Sequence, residues 1–333
     1  MGLGPITSQL EAAVSRAVVY ETFGGPEVLE LREVPEPHPG AGEVRVRVTS
    51  AGLNPMDWAV ALLPDLAAQF GIAVPSGFGY DFAGVVDEIG ENAEGFNVGD
   101  RVFGGAMGRA VADFVVINTM PEERESLFHT PAGISDDVAS TLSVAGLTAA
   151  AALDAVHLRS DDTILIGGAA GGVGVFAVQL ATLAGATVIG TASESTFDFL
   201  RRLGAQPVAY GAGLVERVEA SVPGGITAAT DLFGVETAEA ALTLGVLPAR
   251  ISTIAAGPNP PGGVRPTGGS AAKPDAMGRI TEAIVAGDMT VPIAAVFPIE
   301  QIRDAVSLQA ERHVHGKIVI RLDSGPSSME GGN

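Results

Sequence analysis

The chain of 333 residues contains no cysteine. Disulfides, thiolate metal sites and cysteine nucleophiles are therefore excluded. Histidine is also scarce, and the five histidines show no zinc-binding spacing with carboxylates, although His313 and His315 would share one face of a strand. We expect no metal site in this protein.

Positive charge is the second shortage, because 19 lysines and arginines stand against 39 aspartates and glutamates, giving a formal net charge of −20. Nucleic acids and anionic membrane surfaces select proteins with basic patches. The composition therefore argues against both as partners, and we interpret the acidity as a contribution to solubility.

The sequence also lacks a long uninterrupted apolar run. Its N-terminal segment, MGLGPITSQLEAAVSR, has no basic leader followed by a continuous apolar segment, as a secretory signal would. The most apolar long run, residues 140–158, is interrupted by Ser143, Thr148 and Asp154. We predict no transmembrane span and a cytoplasmic location, while the 47% of apolar residues are enough to bury a large core.

One stretch organises the rest of the chain. Residues 163–193 read TILIGGAAGGVGVFAVQLATLAGATVIGTAS, which predicts a strand, a glycine turn, a helix and a second strand. Gly168, Gly171 and Gly174 recur at three-residue spacing with only small residues between them. A turn of this kind lets backbone N–H groups approach a pyrophosphate, so we predict a dinucleotide site. The alternative is a tight turn between core elements that binds no ligand.

The residues at the end of the second predicted strand indicate whether the cofactor is NADH or NADPH. An NAD site places an acidic residue there to bind the ribose hydroxyls, whereas this chain has Ala192 and Ser193. A small neutral residue leaves room for the 2′-phosphate of NADPH. Glu194 follows directly and no basic residue accompanies it, so NADPH is predicted and NADH stays open.

The remaining periodicities predict an α/β protein. Residues 16–135 are mostly β, with alternating strands such as 44–48, and from about Ser135 strands alternate with helices, which is typical of a doubly wound parallel sheet. A helix is predicted over 276–286 and a closing strand over 317–322.

The segment 257–274 is dense in glycine and proline, which predicts a loop without regular structure that acts either as a lid or as an inert surface loop.

Short motifs along nearly the whole chain resemble one family. These are GLNPMD (52–57), GYDFAGVV (79–86), GDRVFG (99–104), GLTA (146–149), GGAAGGVG (167–174), LGA (203–205) and HGKIVI (315–320). In this order they resemble the medium-chain dehydrogenase/reductase superfamily, in its zinc-independent branch of quinone oxidoreductases related to ζ-crystallin.

The resemblance implies a GroES-like, mostly β catalytic domain over 16–135 and 290–323, a Rossmann dinucleotide-binding domain over 136–289, and flexible termini over 1–15 and 324–333. Zinc-dependent relatives carry a cysteine and a His-Glu pair where this chain has Leu53-Asn54 and Tyr80-Asp81. Without zinc, hydride transfer suits acceptors that are already electrophilic, namely quinones and α,β-unsaturated carbonyls. The implied assembly is a homodimer formed through an edge strand of the nucleotide sheet.

The resemblance also implies site residues, position by position. Asn54 is expected to donate its amide to a carbonyl oxygen, and Tyr80 to donate a proton after hydride addition; the alternatives are a simple turn at Asn54-Pro55 and wall packing of Tyr80. Trp58 and Phe78 are expected to form an apolar wall for the substrate, with plain core burial as the alternative. The expected cofactor-binding residues are Asn54, Thr148, Gly168, Ala170, Gly171, Gly172, Val173, Ser193, Tyr210, Phe233, Ala255, Ala256 and Lys317.

The sequence thus predicts an NADPH-dependent, zinc-independent reductase of quinones or enones. Asp57, next to Pro55, is interpreted as the cap of a helix start. Two alternatives stay open. One is a reductase or dehydrogenase of a specialised pathway intermediate, with a loop over 59–76 shaping a dedicated pocket, and the other is a protein that binds NADPH without catalysis.

Overall fold

The computed structural model describes residues 13–121, 125–257 and 259–322. The predicted loose termini over 1–15 and 324–333 lie almost entirely outside these ranges. Their one described part corrects the prediction, because Val14 and Ser15 pair in register with Pro35 and Val34 of a neighbouring strand. Backbone pairing therefore orders the chain from residue 14.

The first part of the chain is mostly β, as predicted. Its elements are β1 (Val14–Tyr20), β2 (Glu30–Pro35), β3 (Glu43–Leu53), α1 (Pro55–Leu62), α2 (Pro64–Gln69), β4 (Ser76–Gly77), β5 (Asp81–Ile89), β6 (Arg101–Ala106), β7 (Phe114–Asn118), β8 (Glu125–His129) and α3 (Asp136–Ala139). The helices α1 and α2 correct the expectation of a loop over 59–76. Prolines at the first position of each helix, where no N–H is needed, explain the starts.

The middle of the chain alternates helices and strands. Its elements are α4 (Ser143–Ala155), β9 (Thr163–Gly167), α5 (Gly174–Leu183), β10 (Thr187–Ala192), α6 (Phe197–Arg202), β11 (Gln206–Ala209), α7 (Leu214–Ser221), β12 (Ala228–Asp231), α8 (Glu236–Thr243), β13 (Ile251–Thr253), β14 (Arg265–Pro266) and α9 (Ala276–Ala286). The strands pair in parallel in the order β11-β10-β9-β12-β13-β14. This is the predicted Rossmann-like sheet, and α9 has the predicted bounds.

The segment 257–274 is more regular than its composition predicted. Arg265 and Pro266 form β14, which pairs in parallel with Ser252 and Thr253 at the end of the sheet. Buried Val264 anchors this pairing in the core. Proline lacks an N–H and is tolerated at a sheet edge, so the prediction of no regular element was wrong for these residues.

The end of the chain returns to the first half. Its elements are β15 (Ile293–Pro298), α10 (Ile302–Ala310) and β16 (Lys317–Arg321). Strand β16 pairs with β3. The seven-stranded sheet of this unit therefore has the strand order β15-β16-β3-β5-β6-β8, and β7 also pairs with β3. The fold class is therefore a GroES-like β unit joined to a Rossmann-like unit, while the domain boundaries proposed from the sequence stay predictions. No helix in the described part of the chain combines the length and the apolar character needed to cross a membrane.

Candidate active site

The glycine turn after β9 leaves backbone donors free. Gly168 adopts a left-handed conformation with φ of +67°, which turns the chain sharply out of the strand, and Gly171 N–H donates to its carbonyl at 3.0 Å. Within the described residues, no carbonyl or side chain accepts a hydrogen bond from the N–H groups of Ala170, Gly172 or Val173. These donors lie at the start of α5, where an anion is favoured. The turn therefore fits the pyrophosphate of a dinucleotide.

The strand next to this turn ends in a group of hydroxyls. Ser193 Oγ lies 2.7 Å from Thr196 Oγ1 and 3.0 Å from Ser195 Oγ, and all three follow β10. Thr191 Oγ1 accepts from Gly168 N–H at 3.2 Å and ties the strand to the turn. Ser193 thus lies at the end of β10 next to the turn, where the second strand of a Rossmann unit meets the ribose.

Two further strand ends are fixed by side chains that the sequence analysis did not single out. Asp231 at the end of β12 accepts from the N–H groups of Phe233 and Gly234 at 3.0 and 2.8 Å. Thr253 Oγ1 accepts from Ala255 and Ala256 N–H. Phe233, Ala255 and Ala256 are therefore held at one edge of the sheet together with the glycine turn and Ser193.

The segment between α10 and β16 contacts the glycine turn and so joins the two units of the fold. We call the GroES-like β unit the catalytic half, after its predicted role, and the Rossmann-like unit the nucleotide half. Gly316 N–H donates to Ala170 O at 3.1 Å, and a methyl group at Gly172 would lie 3.3 Å from Lys317 Cδ. Arg312 places its guanidinium 5.2 Å from the centre of the Phe233 ring. The predicted residues of both halves therefore meet around the glycine turn.

A buried polar cluster of Asn54, Asp81 and Lys317 lies at this meeting point. Lys317 Nζ donates to Asn54 Oδ1 at 2.5 Å and to the Leu53 carbonyl at 3.1 Å, and Asn54 Nδ2 donates to Asp81 Oδ2 at 2.9 Å. All three side chains are at most 2% exposed. A cation bonded to Oδ1 and an anion bonded to Nδ2 fix the amide orientation of Asn54, which keeps one amide hydrogen for another acceptor.

Asp81 also joins the two halves. Its second oxygen, Oδ1, accepts from Val144 N–H at 3.0 Å in the first turn of α4, which has no side-chain cap of its own. A carboxylate there satisfies an open helix donor and interacts favourably with the helix dipole. One buried carboxylate therefore supports both Asn54 and the start of the helix that carries Thr148.

The ionisation of this cluster follows from its burial and mutual charges. Burial raises the pKa of Asp81 to about 6, although the Lys317 ammonium and hydrogen bonds from Asn54 and Val144 oppose the rise. Burial lowers the pKa of Lys317, while Asp81 and Asp57 hold it up. Burial, with Asp81, Glu125 and Asp57, raises the pKa of Tyr80, so its phenol keeps its proton at neutral pH.

Asp57 is held at the start of α1, as the sequence analysis interpreted it. Its Oδ2 accepts from Asn54 N–H at 2.8 Å, whereas its buried Oδ1 has no hydrogen-bond partner among the residues that the structure describes. Burial raises the pKa of Asp57 to about 8, with Asp81 adding to the rise and the Asn54 N–H and Lys317 opposing it. A proton on Oδ1 fits this environment, because a buried charge without a partner is costly.

Replacing Asp57 with asparagine should flatten the pH dependence of stability. A carboxyl group whose pKa is higher in the folded than in the unfolded state stabilises the fold at low pH and loses that contribution as the pH rises through the folded pKa. The unfolding free energy of the wild type should therefore fall relative to D57N by up to about 1 kcal/mol per pH unit between about pH 5 and 8. Urea unfolding of both proteins at four pH values measures this, and a difference that stays constant with pH would contradict it.

The other predicted residues lie in varied surroundings. Phe78 is 2% exposed and packs in the core of the catalytic half, an arrangement that favours the alternative of core burial. Trp58 packs partly buried against the same core, and its buried indole N–H has no hydrogen-bond partner among the described residues. Thr148 is buried near Gly269, and Tyr210 is 56% exposed.

The structure gives roles to three residues, Asp81, Asp231 and His315, that the sequence analysis did not include among the site residues. Asp81 stands where zinc-dependent relatives carry an acid, yet nothing in its spacing shows that it would reach α4. Asp231 lies inside the strand that the sequence predicts over 230–233, whereas the structure ends β12 at this residue. His315 contacts Thr196 across 119 positions of sequence, and local patterns contain no information about such a contact.

Two family models match the chain. The model of the alcohol dehydrogenase GroES-like domain matches residues 40–140, and the model of the zinc-binding dehydrogenase domain matches residues 172–265. Among the described residues, no group of three or more histidines, aspartates and glutamates is arranged to hold a metal ion.

Known proteins show the same likeness. A quinone oxidoreductase of Pseudomonas aeruginosa is 38% identical over 184 residues, which cover 54% of this chain and 54% of that protein. The chain thus spans about half the length of such curated relatives. The solved quinone oxidoreductase of Coxiella burnetii is 26% identical with a TM-score of 0.82, covering 93% of this chain and all of that one. Mycobacterial Rv1454c complexed with NADPH is 25% identical with a TM-score of 0.79, covering 92% of this chain and 100% of that one.

Proposed function

The chain belongs to the medium-chain dehydrogenase/reductase superfamily, and from this premise we propose that it is an NADPH-dependent oxidoreductase that reduces a quinone or an α,β-unsaturated carbonyl compound without zinc. One observation carries the proposal. The glycine turn with its free N–H groups lies directly against the segment that supplies Lys317 to the buried Asn54 cluster. A dinucleotide on the turn would therefore adjoin a polar group capable of orienting a carbonyl.

The cofactor would be held by both halves of the protein. The N–H groups of Ala170, Gly172 and Val173 would bind the pyrophosphate, and Ser193 would face the ribose and its 2′-phosphate. Phe233, Ala255 and Ala256, fixed by Asp231 and Thr253, would border the nicotinamide. Bound NADPH supplies the hydride. The similarity to a mycobacterial protein complexed with NADPH supports this choice, and NADH stays the alternative.

The remaining chemistry falls to the catalytic half. Because Lys317 and Asp81 fix the amide of Asn54, its second N–H is available to a substrate carbonyl and would stabilise the oxyanion that forms on hydride addition. Tyr80, whose phenol stays protonated, would donate its proton to the anion that hydride addition leaves on the substrate. Quinones and enones suit such a site because they need orientation and one hydrogen bond rather than a Lewis acid. The relative named quinone oxidoreductase supports this substrate class.

The proposal is tested by following NADPH oxidation with a panel of quinones and enones. We expect turnover with at least one of them, and we expect Tyr80→Phe to lower kcat by about tenfold or more while NADPH binding stays unchanged, because only proton donation is lost. If the protein binds NADPH and reduces none of these compounds, the proposed activity is wrong and a role in nucleotide binding alone becomes the better interpretation.

We further propose a homodimer formed through the edge of the nucleotide sheet. Strand β14 ends that sheet, and both of its residues, Arg265 and Pro266, are exposed. Light scattering coupled to size exclusion measures the molar mass. A mass of one chain, about 34 kDa, would contradict the dimer.

A further inference from the structure

The hydroxyls of Ser193, Ser195 and Thr196 at the end of β10 are not accompanied by a lysine or arginine in the same stretch. The fourth residue of this stretch is Glu194, and none of the four can neutralise a phosphate. Arg201, on the helix that follows, pairs with Asp198 and stacks on Phe197. A 2′-phosphate near Ser193 would therefore find hydroxyl donors but no cation in residues 193–196.

A histidine from the catalytic half reaches this same place. His315 Nε2 lies 3.3 Å from Thr196 Oγ1, which in turn lies 2.7 Å from Ser193 Oγ. The imidazole is further held near the Phe199 ring, with 6.1 Å between ring centres. The next residue, Gly316, donates its N–H to Ala170 O in the glycine turn. The backbone that carries His315 is therefore anchored to the predicted pyrophosphate site.

We propose that His315 donates a hydrogen bond to the 2′-phosphate and so determines the preference for NADPH over NADH. This inference rests on the proposed use of a nicotinamide dinucleotide. The imidazole ring carries an N–H donor and is exposed, so it can turn from Thr196 toward a phosphate oxygen. Ser193 and Thr196 would complete the phosphate site with their hydroxyls.

Arg312, in the same segment, is occupied differently. Its guanidinium stacks on Phe233, which follows β12 rather than β10. His313, two residues before His315, is exposed, and within the described part of the chain its ring makes no hydrogen bond and stacks on no other ring. This makes His313 a matched control, because it carries the same side chain in the same loop.

The test is calorimetric titration of NADPH and NADH into wild type, His315→Gln and His313→Gln. H315Q should weaken NADPH binding by about tenfold, which is the size of one charge-assisted hydrogen bond, and leave NADH binding within about twofold. H313Q should bind both cofactors as the wild type does. Adenosine 2′,5′-bisphosphate should show the same tenfold loss in H315Q, while AMP should not.

The outcomes separate this proposal from the broader one. If the wild type binds both dinucleotides and H315Q weakens both equally or neither, His315 does not read the 2′-phosphate, although the proposed oxidoreductase activity stands. If H313Q produces the same loss as H315Q, the effect is one of overall charge and the proposal is overturned. If the wild type binds neither dinucleotide, both the proposed function and the role of His315 are wrong.

Discussion

Replacing Asp81 with alanine should lower the free energy of unfolding by about 3 to 5 kcal/mol, the cost of removing one partner from a buried charged network. The side chain is fully buried, and it accepts hydrogen bonds from Asn54 Nδ2 and from the Val144 N–H. Alanine leaves both donors without this acceptor and removes the larger of the two carboxylate interactions that favour the Lys317 ammonium. Denaturant unfolding measures the loss.

Two further single variants and their combination separate the effect of charge from the effect of the hydrogen bonds on stability. Asp81→Asn keeps an oxygen acceptor and should cost less than D81A, because only the charge is removed. Lys317→Met removes the cation, and the double variant D81N/K317M should be more stable than the sum of the single losses predicts, since neither charge is then left alone. Equal losses for D81A and D81N, with strictly additive double variants, would contradict a coupled network.

The second large effect is expected at Gly174. A Cβ there would lie 2.2 Å from Gly168 O and 2.5 Å from Ala169 O, and these backbone atoms cannot move without opening the turn. Gly174→Ala should therefore lower the unfolding free energy by about 3 kcal/mol, at the upper end of overpacking costs, and should weaken dinucleotide binding by at least about a hundredfold.

Gly172→Ala is the matched control for stability. A Cβ at this position would lie 3.3 Å from Lys317 Cδ, a contact that the flexible lysine chain can relieve. We expect G172A to unfold within about 1 kcal/mol of the wild type. If G174A is as stable as G172A, the close packing of the turn is not what fixes its shape.

The sequence predicted the parts of this fold that depend on local pattern. Apolar periodicity and the C-cap at Gly287 gave the bounds of α9, because these signals lie within the helix itself. The glycine spacing gave the turn after β9 in the same way. Composition failed at β14, since a strand of two residues is determined by pairing with β13 and not by its own sequence.

For the candidate site too, the sequence predicted individual residues but not the contacts between elements that are distant in the chain. Asn54 and Lys317 were identified by resemblance, residue by residue, and the glycine turn by its spacing. The role of Asp81 as an acceptor for both Asn54 and α4 could not be predicted, because it depends on how β5 and α4 pack against each other. The contact of His315 with Thr196 has the same origin. Phe78 and Trp58 were predicted as a substrate wall from their apolar character, which does not distinguish a pocket from a core.

The pairing of β16 with β3 has a consequence for synthesis of the chain. Ile318 lies opposite Leu53, and Lys317, at the start of the same strand, is synthesised 263 positions after Asn54. The strands of the nucleotide sheet are contiguous between residues 163 and 266 and can pair as they leave the ribosome, whereas β3 must wait with an open edge. A nascent chain that ends before β16 would therefore leave residues 50–53 of β3 without a partner strand on that side, and an unpaired strand edge of this kind can pair with other chains.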